Sequence, residues 1–279
     1  MANVRQLARR IDSIRGIAQV TRAMEMISAS RMRRAQDRAL AARPYAEKTR
    51  ELITHLASAA GEAHPLLRVR PVQSLALVMV ASDRGLCGAY NSSVIRTGLH
   101  YARDRGVHTV FIAVGRKARD AVVAAKGELI AEFEGLPASI TVAQAGPIAR
   151  LLEDAFFSGD IDAAAVAYTR FVSLMTQVPS VLEVLPIVPE EGETSEQAAA
   201  LGRGVEYIYE PSASEILGYL LPHSLEVEIL GCLLESAASE HSARMVAMRN
   251  ATENAGDMVK ELTRAYNRAR QASITSEIL

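Results

Sequence analysis

The chain has 279 residues, of which 49% are hydrophobic and 23% charged, and its formal net charge is -1. This composition is typical of a globular protein with one sizeable core or two small ones. No run of 18 apolar residues occurs, so we expect no transmembrane helix. The two cysteines, Cys87 and Cys232, are far apart, which argues against a disulfide framework or a thiolate metal site.

The first 60 residues predict one long helix, because Gly16 and Pro44 are its only strong breakers. Apolar residues at alternating steps of three and four predict a coiled-coil seam. The seam begins with Val4, Leu7, Ile11, Ile14 and Ala18. It continues, displaced by three residues, through Ile17, Val20, Met24 and Ile27, which predicts a local change of winding. Small side chains then resume it at Met32, Ala35, Ala39 and Ala42.

The middle of the chain predicts repeated strand–helix units, which favour a mostly parallel, Rossmann-like sheet. The predicted strands are Leu75–Ser82, His108–Val114, Glu128–Glu134, Ala163–Phe171 and Val181–Val188, with a possible short strand at Val205–Tyr209. The predicted helices are Asn91–Arg105, Arg116–Ala125 and Ile148–Ser158. The polar stretch Glu190–Gly204 predicts a mobile loop.

The C-terminal residues predict a second long helix with its own seam. That seam is Met245, Met248, Thr252, Ala255, Val259, Leu262, Tyr266 and Ala269, and the residues Leu230, Leu233 and Leu234 extend an apolar face toward the middle domain. Pro222 is expected to end or kink a helix, so we predict that the long run begins at His223 or Ser224.

The two terminal helices favour a long antiparallel pair over an ordinary helical bundle, because they stand at opposite ends of the chain around an α/β body. The predicted fold class is therefore α/β, with a long antiparallel coiled coil of the N- and C-terminal helices and a central Rossmann-like domain. The predicted boundaries are 1–60 for the first helix, 61–211 for the α/β domain and 212–279 for the second helix.

Charge is unevenly distributed along the chain. Residues 1–50 carry 12 Arg and Lys against 4 Asp and Glu, whereas residues 211–279 carry 6 against 9. A basic helix and an acidic one favour antiparallel pairing, or docking on an acidic partner. The alternative is that these charges only form solvated helix faces.

One loop, SDRGLCGAYN at Ser82–Asn91, follows a strand and precedes a helix, where α/β folds bind phosphates. It matches neither G-x-x-x-x-G-K-[ST] nor G-x-G-x-x-G. No His or acidic residue is spaced to activate Cys87, and the histidines form no metal-ligand pair. We interpret the loop as a tight turn with a buried cysteine, and an α/β nucleotide-binding enzyme with helical extensions remains the alternative.

Three stretches together resemble the γ subunit of F-type ATP synthases. They are IDSIRGIAQVTRAMEMISASRMRRA at Ile11–Ala35, SDRGLCGAYN, and ARMVAMRNATENA at Ala243–Ala255 with YNRARQASITSEI at Tyr266–Ile278. The resemblance implies a central-stalk rotor whose helix pair turns inside a ring of α and β subunits. Its body would rest on the membrane ring of c subunits beside the ε subunit. Catalytic sites would lie on β, so the chain itself is expected to hold no catalytic residue, cofactor or metal.

The resemblance also implies contact residues. Those matching β-subunit contacts are Met24, Arg244, Gln271, Thr275 and Glu277, and those matching c-ring or ε contacts are Tyr207, Tyr209, Glu210, Asp83 and Arg84. It implies a peripheral location on the cytoplasmic side of a bacterial plasma membrane. A competing reading is nucleic-acid binding by the basic first helix, but that helix lacks interleaved aromatic residues.

Overall fold

The computed structural model describes residues 2–60, 64–137, 139–188, 210 and 212–278. The predicted loop Glu190–Gly204 and strand Val205–Tyr209 lie outside the described residues. The helices are α1 (Ala2–Ala60), α2 (Tyr90–Arg105), α3 (Arg116–Ala124), α4 (Val142–Ser158) and α5 (Ala213–Ile278), with a short 3-10 turn at Pro65–Leu67. The strands are β1 (Ser74–Val80), β2 (His108–Val114), β3 (Glu128–Phe133), β4 (Ala163–Phe171) and β5 (Gln177–Leu185).

The five strands form one sheet in the order β3-β2-β1-β4-β5. The pairs β1–β2, β1–β4 and β2–β3 are parallel, and only β4–β5 is antiparallel, so the predicted mostly parallel sheet is confirmed. Strand β1 is apolar along its length because it is buried on both faces. After β3 the chain crosses through α4 to β4 on the other side of β1.

The sheet is covered on both faces. Helices α2 and α3 cover one face, on side chains such as Leu77, Met79 and Phe111. The other face carries α4, the first half of α5 and the end of α1, and its core includes Val78, Ile112 and Phe156 together with Leu221. The long helices and the sheet therefore share one hydrophobic core.

Helices α1 and α5 run antiparallel, as predicted. The hydroxyls of Thr21 and Thr252 lie 2.7 Å apart, and Arg50 Nη2 lies 3.2 Å from Glu228 Oε1. Residue numbers thus rise along α1 as they fall along α5. The predicted seam of α5 faces α1, and Met248 and Ala255 are buried there.

The predicted displacement of the α1 seam is wrong. Ile17 is 53% exposed and Val20 61%, whereas Thr21 and Ser28 are buried. The seam keeps an unbroken heptad spacing through Ile14, Ala18, Thr21 and Ser28 to Met32. Thr21 and Ser28 occupy seam positions where apolar residues are usual. The Thr21 hydroxyl donates to the Ala18 carbonyl and lies against the Thr252 hydroxyl, so its hydrogen-bonding capacity is satisfied although the residue is buried.

The predicted start of the last helix at His223 or Ser224 is also wrong, because α5 begins at Ala213 and runs through Pro222. A proline inside a helix costs about 3 kcal/mol. Leu217, Leu221 and Leu225 are buried on this segment. Each fully buried leucine contributes roughly 1.5–3 kcal/mol, so tertiary packing offsets the local penalty.

Several further bounds differ from the prediction, since β1 spans Ser74–Val80 and not Leu75–Ser82, β3 ends at Phe133 and not at Glu134, and β5 ends at Leu185 and not at Val188. The largest differences are at the starts of α4 and β5. Helix α4 begins at Val142 rather than at Ile148, because Thr141 and Gln144 form a capping box before it. Strand β5 begins at Gln177 rather than at Val181, because the turn after β4, where the Val172 amide donates to the Thr176 carbonyl, sets the antiparallel register.

Among the described residues, α5 over Ser214–Thr275 is the one helix long and apolar enough to cross a membrane by length and composition. Core helices of globular proteins meet the same criteria. Here the apolar side chains of its first half lie in the core shared with the sheet.

We expect Gly115→Ala to lower the free energy of unfolding by more than about 2 kcal/mol. Gly115 has φ 88°, and a Cβ there would lie 2.3 Å from the Ala81 carbonyl oxygen. In Gly256→Ala, the matched control, the new Cβ meets nothing within 4 Å. That change should stabilise α5 by up to about 1 kcal/mol. Urea unfolding checks both, and similar midpoints for the two variants would contradict the expectation.

Candidate functional site

The loop between β1 and α2 is held by its own polar groups. The Ser82 amide and hydroxyl both donate to Asn91 Oδ1, at 3.0 and 2.9 Å. Asp83 accepts hydrogen bonds from the amides of Arg116 and Gly135, at 3.1 and 3.0 Å. Asp83 therefore ties together the segments that follow β1, β2 and β3.

Cys87 is buried in this loop, as predicted. Its side chain is 2% exposed, and Asn91 Nδ2 lies 3.2 Å from its sulfur. Burial raises the pKa of the Cys87 thiol, against a smaller opposing effect of Arg244. The thiol is therefore protonated at neutral pH and is poorly suited to act as a nucleophile.

Arg244 joins this loop to α5. Its side chain donates to the carbonyls of Arg84 (3.3 Å) and Gly85 (3.3 Å) and forms a 2.7 Å ion pair with Glu240. The residue is only 8% exposed. Burial raises the pKa of Glu240, and Arg244 opposes that rise.

Three serines of α5 contact the end of β4 and the loop that follows it. The Thr169 amide donates to Ser236 Oγ at 3.2 Å, and Ser239 Oγ donates to the Thr169 carbonyl at 3.0 Å. Ser242 Oγ donates to the Leu174 carbonyl at 2.8 Å. All three serines are buried. The segment 236–244 of α5 is thus hydrogen-bonded on both sides to backbone at the carboxyl end of the sheet.

This place is where an open α/β sheet usually binds its ligand. Strand order reverses between β1 and β4, and the crevice outside their carboxyl ends is the common ligand site. Here α5 lies in that crevice. A cavity of about 260 Å³ remains beside it, and its lining includes the charged side chains of Arg31, Asp83, Glu240 and Arg244 together with the imidazole of His241. The arrangement is suited to holding α5 rather than a nucleotide.

Metal binding has no support in the described part of the chain. No group of three or more His, Cys, Asp or Glu residues there could hold an ion.

His241 makes the free energy of unfolding depend on pH. Burial, with repulsion from Arg244 and Arg31, lowers the pKa of His241 from 6.5 to about 4. Between these values the unfolded chain binds a proton that the folded chain does not. The free energy of unfolding should therefore fall as pH is lowered from 6.5 toward 4, by about 3 kcal/mol from this residue.

The raised pKa of Glu240 favours the folded chain as pH falls, which opposes the effect of His241. The contribution of His241 is therefore taken from the difference between the wild-type chain and His241→Gln. Urea unfolding of both proteins across this pH range makes the measurement. We expect the variant to lose less stability on acidification, and parallel pH profiles would contradict the assignment.

The predicted contact residues lie in four separate places, and the first is the loop after β1 together with Arg244. Gln271 and Thr275 are exposed near the end of α5, where the Thr275 hydroxyl donates to the Gln271 carbonyl at 2.9 Å. Glu277 lies in the same last turns, but its side chain is outside the described residues. Met24 is half-buried beside the seam of α1. Glu210 is exposed just before α5, whereas Tyr207 and Tyr209 are outside the described residues.

The residues predicted to contact the same partner lie far apart along α5. Arg244, predicted to contact β as are Gln271 and Thr275, is separated from Gln271 by 27 helical residues, about 40 Å. Asp83 and Arg84, predicted to contact the c ring or ε as is Glu210, lie beside Arg244, about 45 Å along α5 from its start. The structure instead brings Arg244, Asp83 and Arg84 together. The contacts with partner subunits stay predictions.

Sequence reasoning missed Ser236, Ser239 and Ser242. Their spacing of three residues within an otherwise apolar face of α5 was the available signal. The partners of these serines are backbone atoms more than 60 residues away, which sequence spacing does not reveal.

Comparison with known proteins gives concordant matches. A family model described as ATP synthase matches residues 3–279. The ATP synthase gamma chain of Dehalococcoides mccartyi is 45% identical, over 100% of this chain and 96% of the relative. That of Pelotomaculum thermopropionicum is 43% identical, with the same coverage.

Solved structures with a similar fold include two rotor assemblies. The central stalk and c ring of Tetrahymena thermophila mitochondrial ATP synthase gives a chain with a TM-score of 0.63 at 23% identity, covering 83% of this chain and 99% of that chain. The rotor of Euglena gracilis mitochondrial ATP synthase gives 0.63 at 17% identity, covering 98% and 99%. At these identities the likeness concerns the fold.

Proposed function

Because the chain belongs to the ATP synthase gamma family, we propose that its helix pair turns as an asymmetric shaft within the ring of α and β subunits. The chain is the central-stalk rotor subunit of an F-type ATP synthase and is not itself catalytic. It contacts the α/β ring, the ε subunit and the c ring. The rotor couples proton flow through the c ring to ATP synthesis on β.

The observation that carries the proposal is the antiparallel pair of α1 and α5 beyond the sheet. The Thr21–Thr252 contact sets the register of the pair. Gln271 lies 19 residues beyond Thr252, and Thr21 lies 19 residues from the first residue of α1, so Gln271 stands where α1 begins. Thr275 and Glu277 follow on α5. We propose that these three residues contact β at the tip of the shaft.

The exposed side of α1 carries an apolar stripe, because Ile17, Val20 and Ile27 recur there at helical spacing and are each more than half exposed. This stripe offers the shaft an apolar surface toward the subunits that surround it. Coupling requires that the shaft interact differently with different states of the β subunits. The two helices of the pair differ in charge, since residues 1–50 carry 12 basic against 4 acidic residues and residues 211–279 carry 6 against 9, which supports that requirement.

At the opposite end, we propose that Tyr207, Tyr209 and Glu210 face the c ring and ε. Asp83 and Arg84 lie in the loop after β1, where the Arg84 carbonyl accepts a hydrogen bond from Arg244. We propose that the exposed Arg84 side chain faces the partner subunits there. We also propose the division into parts 1–60, 61–211 and 212–279. The complex is membrane-bound, and we propose that this chain sits peripherally on the cytoplasmic side of a bacterial plasma membrane.

Reconstitution of the full chain with α and β subunits tests the function. A probe on Arg103→Cys would report rotation, because Arg103 is exposed on α2 while Cys87 and Cys232 are buried. Unidirectional, ATP-driven rotation is the expected result. Assembly without rotation would contradict the rotor assignment, and tight nucleotide binding by the isolated chain would favour the enzyme alternative.

Met24→Lys should reduce rotation coupled to hydrolysis in the same assembly, with Met26→Lys as its matched control. Met24 is half-buried beside the seam, whereas Met26 is 62% exposed. A lysine at Met24 must either lose solvation or displace the helix pair, at a cost of about 1–3 kcal/mol. Steps of rotation per ATP hydrolysed are the measurement, and equal effects of the two variants would exclude a special role for Met24.

A further inference from the structure

The loop after β1 on one side, and the end of β4 with its following loop on the other, hold α5 through directional contacts. On one side Arg244 donates to the carbonyls of Arg84 and Gly85. On the other side Ser239 and Ser242 donate to the carbonyls of Thr169 and Leu174, and Ser236 accepts from the Thr169 amide. We call these four side chains of Ser236, Ser239, Ser242 and Arg244 the polar collar.

The polar collar lies where α5 leaves the sheet. Residues before it, such as Leu233 and Leu234, belong to the core shared with the sheet, whereas from Met248 onward the seam of α5 faces α1. Among the described residues, the collar makes the last hydrogen bonds that join α5 to the sheet and its loops. Twist that travels from the body along α5 must pass through this segment to reach the tip of the helix pair, while α1, which also packs in the shared core, offers a parallel path.

Hydrogen bonds suit the position of the collar. The close-packed core before the collar already resists rotation of α5, and hydrogen bonds add directional contacts at the point where that core ends. A hydrogen bond weakens steeply when its angle falls below about 120°. Contacts on opposite sides of α5 therefore resist rotation in either direction.

Two serines of the polar collar are fully buried. Ser239 and Ser242 are both 0% exposed, so water does not readily replace the contacts that they make. Loss of a buried partner costs about 1–3 kcal/mol for each group left unsatisfied. Ser224 differs, since its hydroxyl donates at 2.7 Å to the Leu221 carbonyl of its own helix.

We propose that the polar collar is the torsional joint of this protein, which fixes the rotation of α5 relative to the sheet and passes torque between the body and the helix pair. Its residues are positioning residues, and they act through the orientation of the shaft. The proposal assigns Arg244 an intramolecular role in coupling. It rests on the proposed rotor function.

The test measures torsional stiffness in the assembly with α and β subunits. The ring is immobilised, and the angular variance of a probe on Arg103→Cys is recorded during pauses. Variants are Ser239→Ala with Ser242→Ala, and Ser224→Ala as the matched control, which removes a buried serine hydroxyl from the same helix. The wild-type assembly is examined first, so absence of rotation there counts against the proposed function and not against the collar.

We expect the double variant to raise the angular variance about twofold, because two of the four collar side chains are lost. ATP hydrolysis without load should be retained, while ATP-driven proton pumping per ATP hydrolysed should fall in the holoenzyme. The Ser224→Ala variance should match wild type. Unchanged variance in the double variant, or an equal rise in Ser224→Ala, would overturn the proposal.

Amide hydrogen exchange on the full chain keeps the test decisive if the double variant does not assemble. Ser236→Ala removes the acceptor of the Thr169 amide, so exchange at Thr169 should accelerate while exchange in α2 stays unchanged. The single variant Ser242→Ala is then used for the stiffness measurement. Wild-type exchange at Thr169 together with wild-type stiffness would refute the collar.

Discussion

Replacement of Arg244 by methionine is expected to lower the free energy of unfolding of the chain by about 3–5 kcal/mol. Methionine retains an apolar stem, but the largely buried carboxylate of Glu240 loses its cation, which lies 2.7 Å away. The carbonyls of Arg84 and Gly85 lose their donors as well. The midpoint of urea unfolding, compared at an unchanged slope, measures the loss.

The chain offers a matched control for this change. Arg249 forms an exposed pair with Glu253 four residues away on the same helix, so Arg249→Met should alter stability by no more than about 0.5 kcal/mol. Adding Glu240→Gln to Arg244→Met should recover part of the loss, because it removes the buried charge. Equal small effects at both arginines would mean that water replaces the contacts of Arg244.

Phe156→Ala should lower the free energy of unfolding by about 3–5 kcal/mol. Phe156 is 0% exposed within the core, and the Arg70 guanidinium lies 4.6 Å from its ring centroid. Truncation removes a large apolar surface and leaves a cavity between α4 and the sheet. Urea unfolding again makes the measurement.

The next residue is the natural control. Phe157 is 46% exposed, so its truncation should cost less than about 1 kcal/mol. The two variants change the same residue type one position apart on α4, so helix propensity cancels between them. A similar loss at both positions would contradict the orientation of α4.

The sheet was well predicted, since its strands are either apolar along their length or clearly alternating. The predicted bounds of β2 and β4 agree with the structure, because both strands are central and flanked by turns. Strand β5 was less predictable. It lies at the edge, and its register depends on the turn after β4 and not on its own pattern.

The helices show where local patterns fail. The α5 seam was predictable because its buried positions hold apolar or small residues. In α1, Thr21 and Ser28 occupy buried positions while Ile17 and Val20 face outward, so an apolar pattern followed the wrong stripe. The predicted helix start after Pro222 was wrong for a related reason. The buried leucines on both sides of Pro222 compensate for the lost backbone hydrogen bond.

The candidate site was the least predictable part. The family resemblance identified the loop Ser82–Asn91 and Arg244, but not that they are in contact across 159 residues of sequence. The serines that complete the junction carry no local motif. Their partners are backbone atoms, which every residue possesses, so composition does not mark them.

Two long terminal helices, a mostly parallel sheet between them and membership of a rotor family could all be inferred from the amino-acid sequence, because periodicity, strand burial and family motifs are local properties of the chain. Three features emerged from the fold alone: which stripe of α1 is buried, the continuation of α5 through Pro222, and the position of α5 in the crevice between β1 and β4. Those outcomes depend on contacts between distant residues, whose energies exceed local propensities once both sides are buried.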